Sequence, residues 1–266
     1  MSFSTSILIG KSVCLKEKVA LYTGKNLKFF DQLPSTNTYA AQWLREGPQE
    51  GSVVQAGFQF EGKGQKGSRW EVAPGLNLTL SVIYYPTFLN VDRVFQLSKI
   101  TALALYDTLE GLLPSSDILI KWPNDLLVNK KKIAGILVEN QLEGRQVRSS
   151  VIGIGLNVGQ LTFPPALADK ATSVRLEGGD SKLPTDLLFD ALEGHYEELK
   201  RGKSEQIDRR YLRHLYAYQE EVEVEIKGRE ERAMLVGVGK DGRAALVIRE
   251  RLGYFDIKEV RWKLFG

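Results

Sequence analysis

The chain has a single cysteine, Cys14, among its 266 residues. An intramolecular disulfide and a cysteine-built zinc site are both excluded. It has two histidines, His195 and His214. Both fall on predicted helices with no carboxylate or second histidine in register, so both read as structural. No apolar run approaches the ~18 residues that cross a membrane. The N-terminal MSFSTSILIGKSVCLKEKV lacks the basic start and long apolar core of a signal peptide. A cytoplasmic, reducing setting is the expectation. An excess of one charge is also lacking: 36 basic against 33 acidic residues leave +3, too balanced for wholesale nucleic-acid binding. What remains is a chain with 43% hydrophobic residues and no low-complexity tract, long enough for one large and one small folded unit.

β-Branched and aromatic residues mark SVVQAGFQF (52–60) as a strand, and alternation marks LNLTLSVIYY (76–85) as another. Val94, Leu97, Ile100, Leu103 and Leu109 keep helical spacing up to Pro114. DILIKW, IAGILVEN and SSVIGIGLNV read as strands, with PNDLLVNKKK joining the first two as a hairpin with a basic tip. A second amphipathic helix runs from Leu187 to Leu199, with Thr185 as its expected cap after Pro184. A third spans about 204–215. From Gln219 the pattern changes to short strands separated by glycine-containing turns, of which Lys240-Asp241-Gly242 is the strongest. The fold class expected is α+β. A mixed β-sheet catalytic domain flanked by helices covers 1–217, and a small SH3-like β-barrel covers 218–266.

EGKGQKGSRW (61–70) contains G-x-G-x-x-G at Gly62, Gly64 and Gly67. A dinucleotide turn needs a helix to begin at the third glycine, whose N-terminus receives the pyrophosphate. Here SRWEVAPGLNLTLSV follows, with Pro74, Gly75 and then β alternation. No Lys-Ser/Thr pair closes a P-loop either. The segment is therefore a strand-to-strand loop carrying Lys63, Lys66 and Arg69, whose backbone can approach a ligand closely. Taken alone, it could equally be a solvated surface loop.

Four further segments occur in order: PSTNTYA (34–40), IKWPNDLLV (120–128), KKKIAGILVE (130–139) and GIGLNV (153–158). Together they resemble the biotin–protein ligases, and the resemblance runs from Leu27 to the C-terminus. Lipoate ligases share the general fold but not KWPND. The family's usual loop is G-R-G-R-x-G-R followed by a pair such as Lys-Trp. This chain keeps Gly62, Gly64, Gly67 and Trp70 but has Lys63, Gln65 and Ser68 where the arginines stand. A lysine is a point charge and a glutamine carries none, whereas arginine offers a rigid fork. The resemblance with these departures implies a weaker hold on an acyl-adenylate. Some 30 residues before Ser35 are too few for a DNA-binding helix-turn-helix domain, so a stand-alone ligase without operator binding is expected.

The resemblance implies two half-reactions. Biotin is adenylated by ATP, and biotin is then passed to a lysine of a biotin carboxyl carrier domain. It implies Lys132 as the central cation, touching carboxylate and phosphate, with Lys63 in support. Ser35, Thr36, Asn37, Gln59, Lys63, Gly64, Gln65, Lys132 and Gly135 become the biotin contacts. Gly62, Lys66, Arg69, Trp70, Asn124, Asp125 and Asn157 become the ATP contacts. Read from the residues alone, Ser35 or Thr36 is a helix cap, Asn124 and Asp125 build a turn, and Trp70 is a core anchor or a cover for adenine. Asp125 either holds Mg²⁺ with the phosphates or helps deprotonate the incoming lysine. A homodimer through an exposed sheet edge is compatible with the pattern.

Overall fold

The computed structural model describes residues 22–71 and 73–263, with the side chain of Lys66 left out. Cys14 and the N-terminal segment lie outside the described residues. The larger sheet contains β1 (Leu27–Leu33), β2 (Val53–Gln59), β3 (Leu78–Tyr84), β4 (Ile118–Lys121), β5 (Asp125–Val128), β6 (Lys131–Glu143) and β7 (Gln146–Leu156). Its order is β1-β2-β3-β7-β6-β5-β4, with β1 parallel to β2 and every other neighbouring pair antiparallel.

Both faces are covered, which is why all seven residues of β3 are buried. On one face lies α1 (Thr36–Trp43), whose Ala40 and Trp43 meet Val54, Ile83 and Val151. On the other lies α2 (Phe95–Leu112), which is buried nearly all round because α3 (Thr185–Lys200) and α4 (Ser204–Arg213) cover its outer side. None of the described helices is long and apolar enough to cross a membrane.

The smaller sheet contains β8 (Glu221–Ile226), β9 (Arg229–Val238), β10 (Ala244–Ile248), β11 (Arg251–Phe255) and β12 (Val260–Trp262), in the order β11-β10-β9-β8-β12. Among the described residues no ladder joins β11 to β12, so the expected barrel is an open antiparallel sheet. It shares one apolar core with the larger unit, through Val224, Leu235 and Leu246. The Trp122 indole N–H donates to the Gly242 carbonyl (2.8 Å), and the Trp122 and Trp262 rings meet edge to face at 6.4 Å. The KWPND segment is thereby tied to the second sheet.

Several local expectations are corrected. PNDLLVNKKK is more than a connection: Asp125–Val128 is strand β5, and the hairpin turn is Asn129-Lys130, both at positive φ (48° and 66°). Pro184, not Thr185, stands at the start of α3, with no side-chain cap bond. The turn before β11 is Arg249-Glu250, at φ 49° and 66°, and contains no glycine. His195 has carboxylates beside it, Asp107 from α2 at 2.9 Å and Glu198 at 3.4 Å. Asp107 comes from α2, while Glu198 is one turn on along α3 itself, so a carboxylate does stand in register with His195.

Candidate active site

The start of α1 follows directly from its sequence. Ser35 has extended backbone angles and caps the helix at Thr38. The next two side chains, Thr36 and Asn37, are buried against the sheet. Gln59, at the end of β2, accepts from the Thr36 backbone N–H (2.7 Å) and hydroxyl (3.1 Å). Asn37 donates to Glu139 (2.7 Å), and its carbonyl oxygen lies 2.6 Å from the Ser81 hydroxyl. Thr36, Asn37 and Gln59 are therefore held in place by one another and by Ser81 and Glu139.

The sheet beneath them is bare by design of its sequence. Successive strand residues face opposite ways, so the glycines of GIG, Gly153 and Gly155, share one face while Ile152 and Ile154 share the other. A Cβ at Gly153 would overlap the Asn37 side chain, and one at Gly155 would overlap the Trp70 ring. Gly135 of β6 stands opposite Gly155 in register.

A cavity of about 190 Å³ opens over this patch. Its walls are Ser35–Asn37, Gln59, Leu80, Gly135–Leu137 and Gly153–Gly155, with Lys63–Gln65 and Ser68–Trp70 from the glycine loop and Asn124, Asp125 and Lys132 at one end. The loop contains a single 3₁₀ turn, Gln65–Gly67, and no α-helix. It is pinned by Gly64 N–H to Ser68 O (2.7 Å) and Trp70 N–H to Gly62 O (2.9 Å). The rejection of a dinucleotide turn agrees with this geometry.

A second cavity, about 490 Å³, adjoins the first. Arg69, Trp70, Asp125 and Lys132 line both. The lining of the second combines apolar Leu127, Phe163, Leu167 and Ala171 with the cations Lys121, Lys130 and Lys170 and the carboxylate Glu71. Lys132, the second residue of β6, is held by backbone bonds to Lys170 and Thr172. Its ammonium lies 2.6 Å from Asp125 Oδ1 and 5.5 Å from the centre of the Trp70 ring. The Asp125 side chain is 16% exposed and that of Lys132 37%, so the carboxylate is sheltered while solvent still reaches the ammonium. At Lys121, burial pushes the ammonium below the ordinary lysine range and Lys132 pushes the same way, while Asp125 opposes both.

Every residue expected at the biotin end lines the first cavity. Of those expected on ATP, Arg69, Trp70, Asp125 and Asn157 line the second. Asn124 lines the first, where its side-chain amide donates to Ile136 O (2.8 Å). Gly62 lines neither; it sits under the Trp70 backbone. The Lys66 side chain lies outside the described part. The sequence reading missed Ser68, Leu80, Lys121, Lys130, Phe163, Lys170 and Trp262. Lys121 had a signal, since it opens KWPND. Phe163 and Lys170 had none, because they lie in an irregular stretch between β7 and α3.

No group of three potential metal ligands stands together among the described residues. The donor set at the junction is one carboxylate beside a lysine. This suits a cation brought in by phosphate oxygens, with Asp125 as its one protein ligand, as Mg²⁺ is commonly held.

Residues 29–157 match the profile of the Biotin/lipoate A/B protein ligase family. The chain is 37% identical over 161 residues to the bifunctional ligase/repressor BirA of Bacillus subtilis, covering 59% of this chain and 48% of that protein. It is 38% identical over 159 residues to the biotin--[acetyl-CoA-carboxylase] ligase of Paracoccus denitrificans, covering 58% of this chain and 65% of that protein. The chain thus spans about half the length of the bifunctional relatives it matches. Among solved structures, the Aquifex aeolicus biotin protein ligase in complex with biotin and ATP superposes with a TM-score of 0.74 at 23% identity, over 89% of this chain and 98% of that one. Residues 29–157, which supply every wall of the first cavity, belong to the Biotin/lipoate A/B protein ligase family, and the fold built around them is that of the biotin protein ligases.

Proposed function

We propose that this chain is an ATP-dependent biotin–protein ligase. It converts biotin to biotinyl-AMP and passes the biotinyl group to a lysine of a biotin carboxyl carrier domain. The observation that carries the reading is Lys132, whose ammonium stands on the wall shared by the two cavities, paired with Asp125 at 2.6 Å.

The first half-reaction brings a carboxylate and a phosphate together, so repulsion between anions is the main obstacle. Biotin occupies the first cavity, its ureido group among Ser35, Thr36, Asn37 and Gln59 and its carboxylate toward Lys132. The α-phosphate of ATP lies across the junction, and adenosine takes the apolar lining of the second cavity near Trp70 and Asn157. Lys132 neutralises both anions and the charge that builds up between them, with Lys63 and Arg69 adding positive potential from the loop. Asp125 fixes the Lys132 ammonium. When Mg²⁺ accompanies ATP, Asp125 is the residue that would hold it, and the ion would lower the charge of the phosphates. In the second half the carrier amine attacks the acyl carbon of biotinyl-AMP and AMP leaves.

The division at 217/218 and self-association through the outer edge of β1, where Phe29 is exposed, are part of the same reading, as is a cytoplasmic setting where ATP and carboxylase carriers meet. The test is transfer of tritiated biotin to a purified carrier domain, with lipoate in parallel. Biotin-specific, ATP-dependent labelling of one carrier lysine is expected. Labelling by lipoate alone would assign a lipoyl-transferring relative. No labelling, with biotin bound, would assign a sensor.

A further inference from the structure

We propose that Lys121 holds the departing pyrophosphate of the adenylation step, with the Trp262 indole as a second donor in the same cleft. The inference rests on the adenylation reading above and adds a residue that the family motif reading did not assign.

Lys121 ends β4, directly opposite Asp125 in the β4–β5 register. It lines the second cavity and not the first. Among the described residues no carboxylate pairs with it directly, because Asp125 is engaged by Lys132. A half-buried ammonium that shares one carboxylate, Asp125, with a second ammonium sits at a place that favours an incoming anion. Trp262, from β12 of the smaller sheet, lines the same cavity. Its indole N–H is buried and has no acceptor, and an indole can only donate. Lys130 and Lys170 line the cavity as well, so its cations outnumber its carboxylates, Asp125 and Glu71. The cluster offers donors and positive charge with unmet bonding capacity, which is what an oxygen-rich polyphosphate requires.

The order of bond changes places the leaving group there. An oxygen of the biotin carboxylate attacks the α-phosphorus from the first cavity. The bond from that phosphorus to the α–β bridging oxygen breaks, its electron pair stays on the bridging oxygen, and pyrophosphate departs with it. Attacking and leaving oxygens lie roughly in line. Lys132 lines both cavities, whereas Lys121 lines only the second, into which the leaving group passes. Lys121 therefore meets charge that grows as the bond breaks.

The experiment measures biotin-dependent exchange of labelled pyrophosphate into ATP. Absence of exchange in the native protein would sink the adenylation reading itself. Given exchange, Lys121→Met should raise the pyrophosphate concentration needed for half-maximal rate by roughly tenfold or more, the loss of one charged hydrogen bond. Its biotin requirement should stay unchanged, and Lys121→Arg should recover most of the loss. Trp262→Phe, which keeps the ring and removes the N–H, should shift the same quantity less. Transfer from presynthesised biotinyl-AMP to a carrier domain should proceed at the native rate in all three. Unaltered pyrophosphate dependence in Lys121→Met, or transfer slowed as much as exchange, would overturn the assignment. Amine acetylation of the native protein supplies a readout that needs no variant: inorganic pyrophosphate should protect Lys121, and an unprotected Lys121 at saturating pyrophosphate would equally overturn it.

Discussion

Replacing Lys132 by alanine separates what this side chain does for the fold from what it does for chemistry. In the free protein its main electrostatic partner is Asp125, at 2.6 Å, and Lys132 itself is 37% exposed. Solvent screens a pair so placed, so its loss should cost the fold about 1 kcal/mol or less. That lowers the melting temperature by roughly 2–4 °C in a domain of this size. In the reaction the same ammonium is asked to make charged hydrogen bonds to two anions at once. At about 1.5–3 kcal/mol each, the two are worth about 3–6 kcal/mol, or roughly a hundredfold to ten-thousandfold in the adenylation rate. Lys132→Ala should therefore melt almost normally and release pyrophosphate from ATP plus biotin at least about a hundredfold more slowly. Lys132→Arg should fall between, since the charge is kept but the fork does not reproduce one point charge shared by two oxygens. The assay is continuous pyrophosphate detection under single turnover, with thermal melting alongside. Undiminished release by Lys132→Ala would refute the mechanism; a melting point depressed far beyond these few degrees would show that the lysine is chiefly structural.

The remaining predictions concern the pocket floor and the loop. Gly153→Ala should drive a methyl group into Asn37, cost the fold roughly 1–3 kcal/mol and weaken biotin binding; calorimetry that finds native affinity would show that Asn37 does not shape the pocket. Amide exchange across 61–69 should slow when biotin and ATP are added together, and equal protection with and without them would rule out ordering of this loop over the intermediate. Gln65 lines the first cavity without a charge to offer the intermediate. The native protein should therefore label unrelated lysines on prolonged incubation, and Gln65→Arg should reduce this. Mass spectrometry showing label only on the carrier lysine in the native protein would contradict that view.

What the sequence made legible depended on how locally each feature is encoded. The floor of the first cavity was readable because GIG and IAGIL state a strand, its two faces and its small residues in a few letters. The short strand Asp125–Val128 was hidden inside a segment that begins with turn residues and ends in lysines, so the turn chemistry of Asn124 overshadowed the apolar DLLV. The Arg249-Glu250 turn was missed because it adopts positive φ without glycine, whereas the turns after Gln219 were expected to contain one. His195 was read as having no carboxylate in register, but Glu198 stands one turn on along its own helix and Asp107 reaches it from α2. The cationic lining of the second cavity was the least readable part. Lys130, Lys170 and Trp262 come from a hairpin tip, an irregular segment and the smaller sheet, and only the tertiary fold brings them together.

The junction between the cavities follows from one feature of the larger sheet. Helices cover both of its faces, so small residues on an inward face leave volume that some other group has to fill. Gly135 and Gly155 face each other across β6 and β7, and the Trp70 ring lies on the backbone they expose. Packing, the Lys132 ammonium over the ring and the backbone bond to Gly62 hold it there, while the indole N–H is buried without an acceptor. A core anchor of this size would ordinarily have its polar atom satisfied. Trp70 instead sits at the boundary of both cavities, on the loop that carries Lys63 and Arg69. Its seat on bare glycine backbone and its unmet donor together suit a side chain that shares its place with a ligand, and they account for the pairing of a glycine-rich loop with a glycine-rich strand in a single chain.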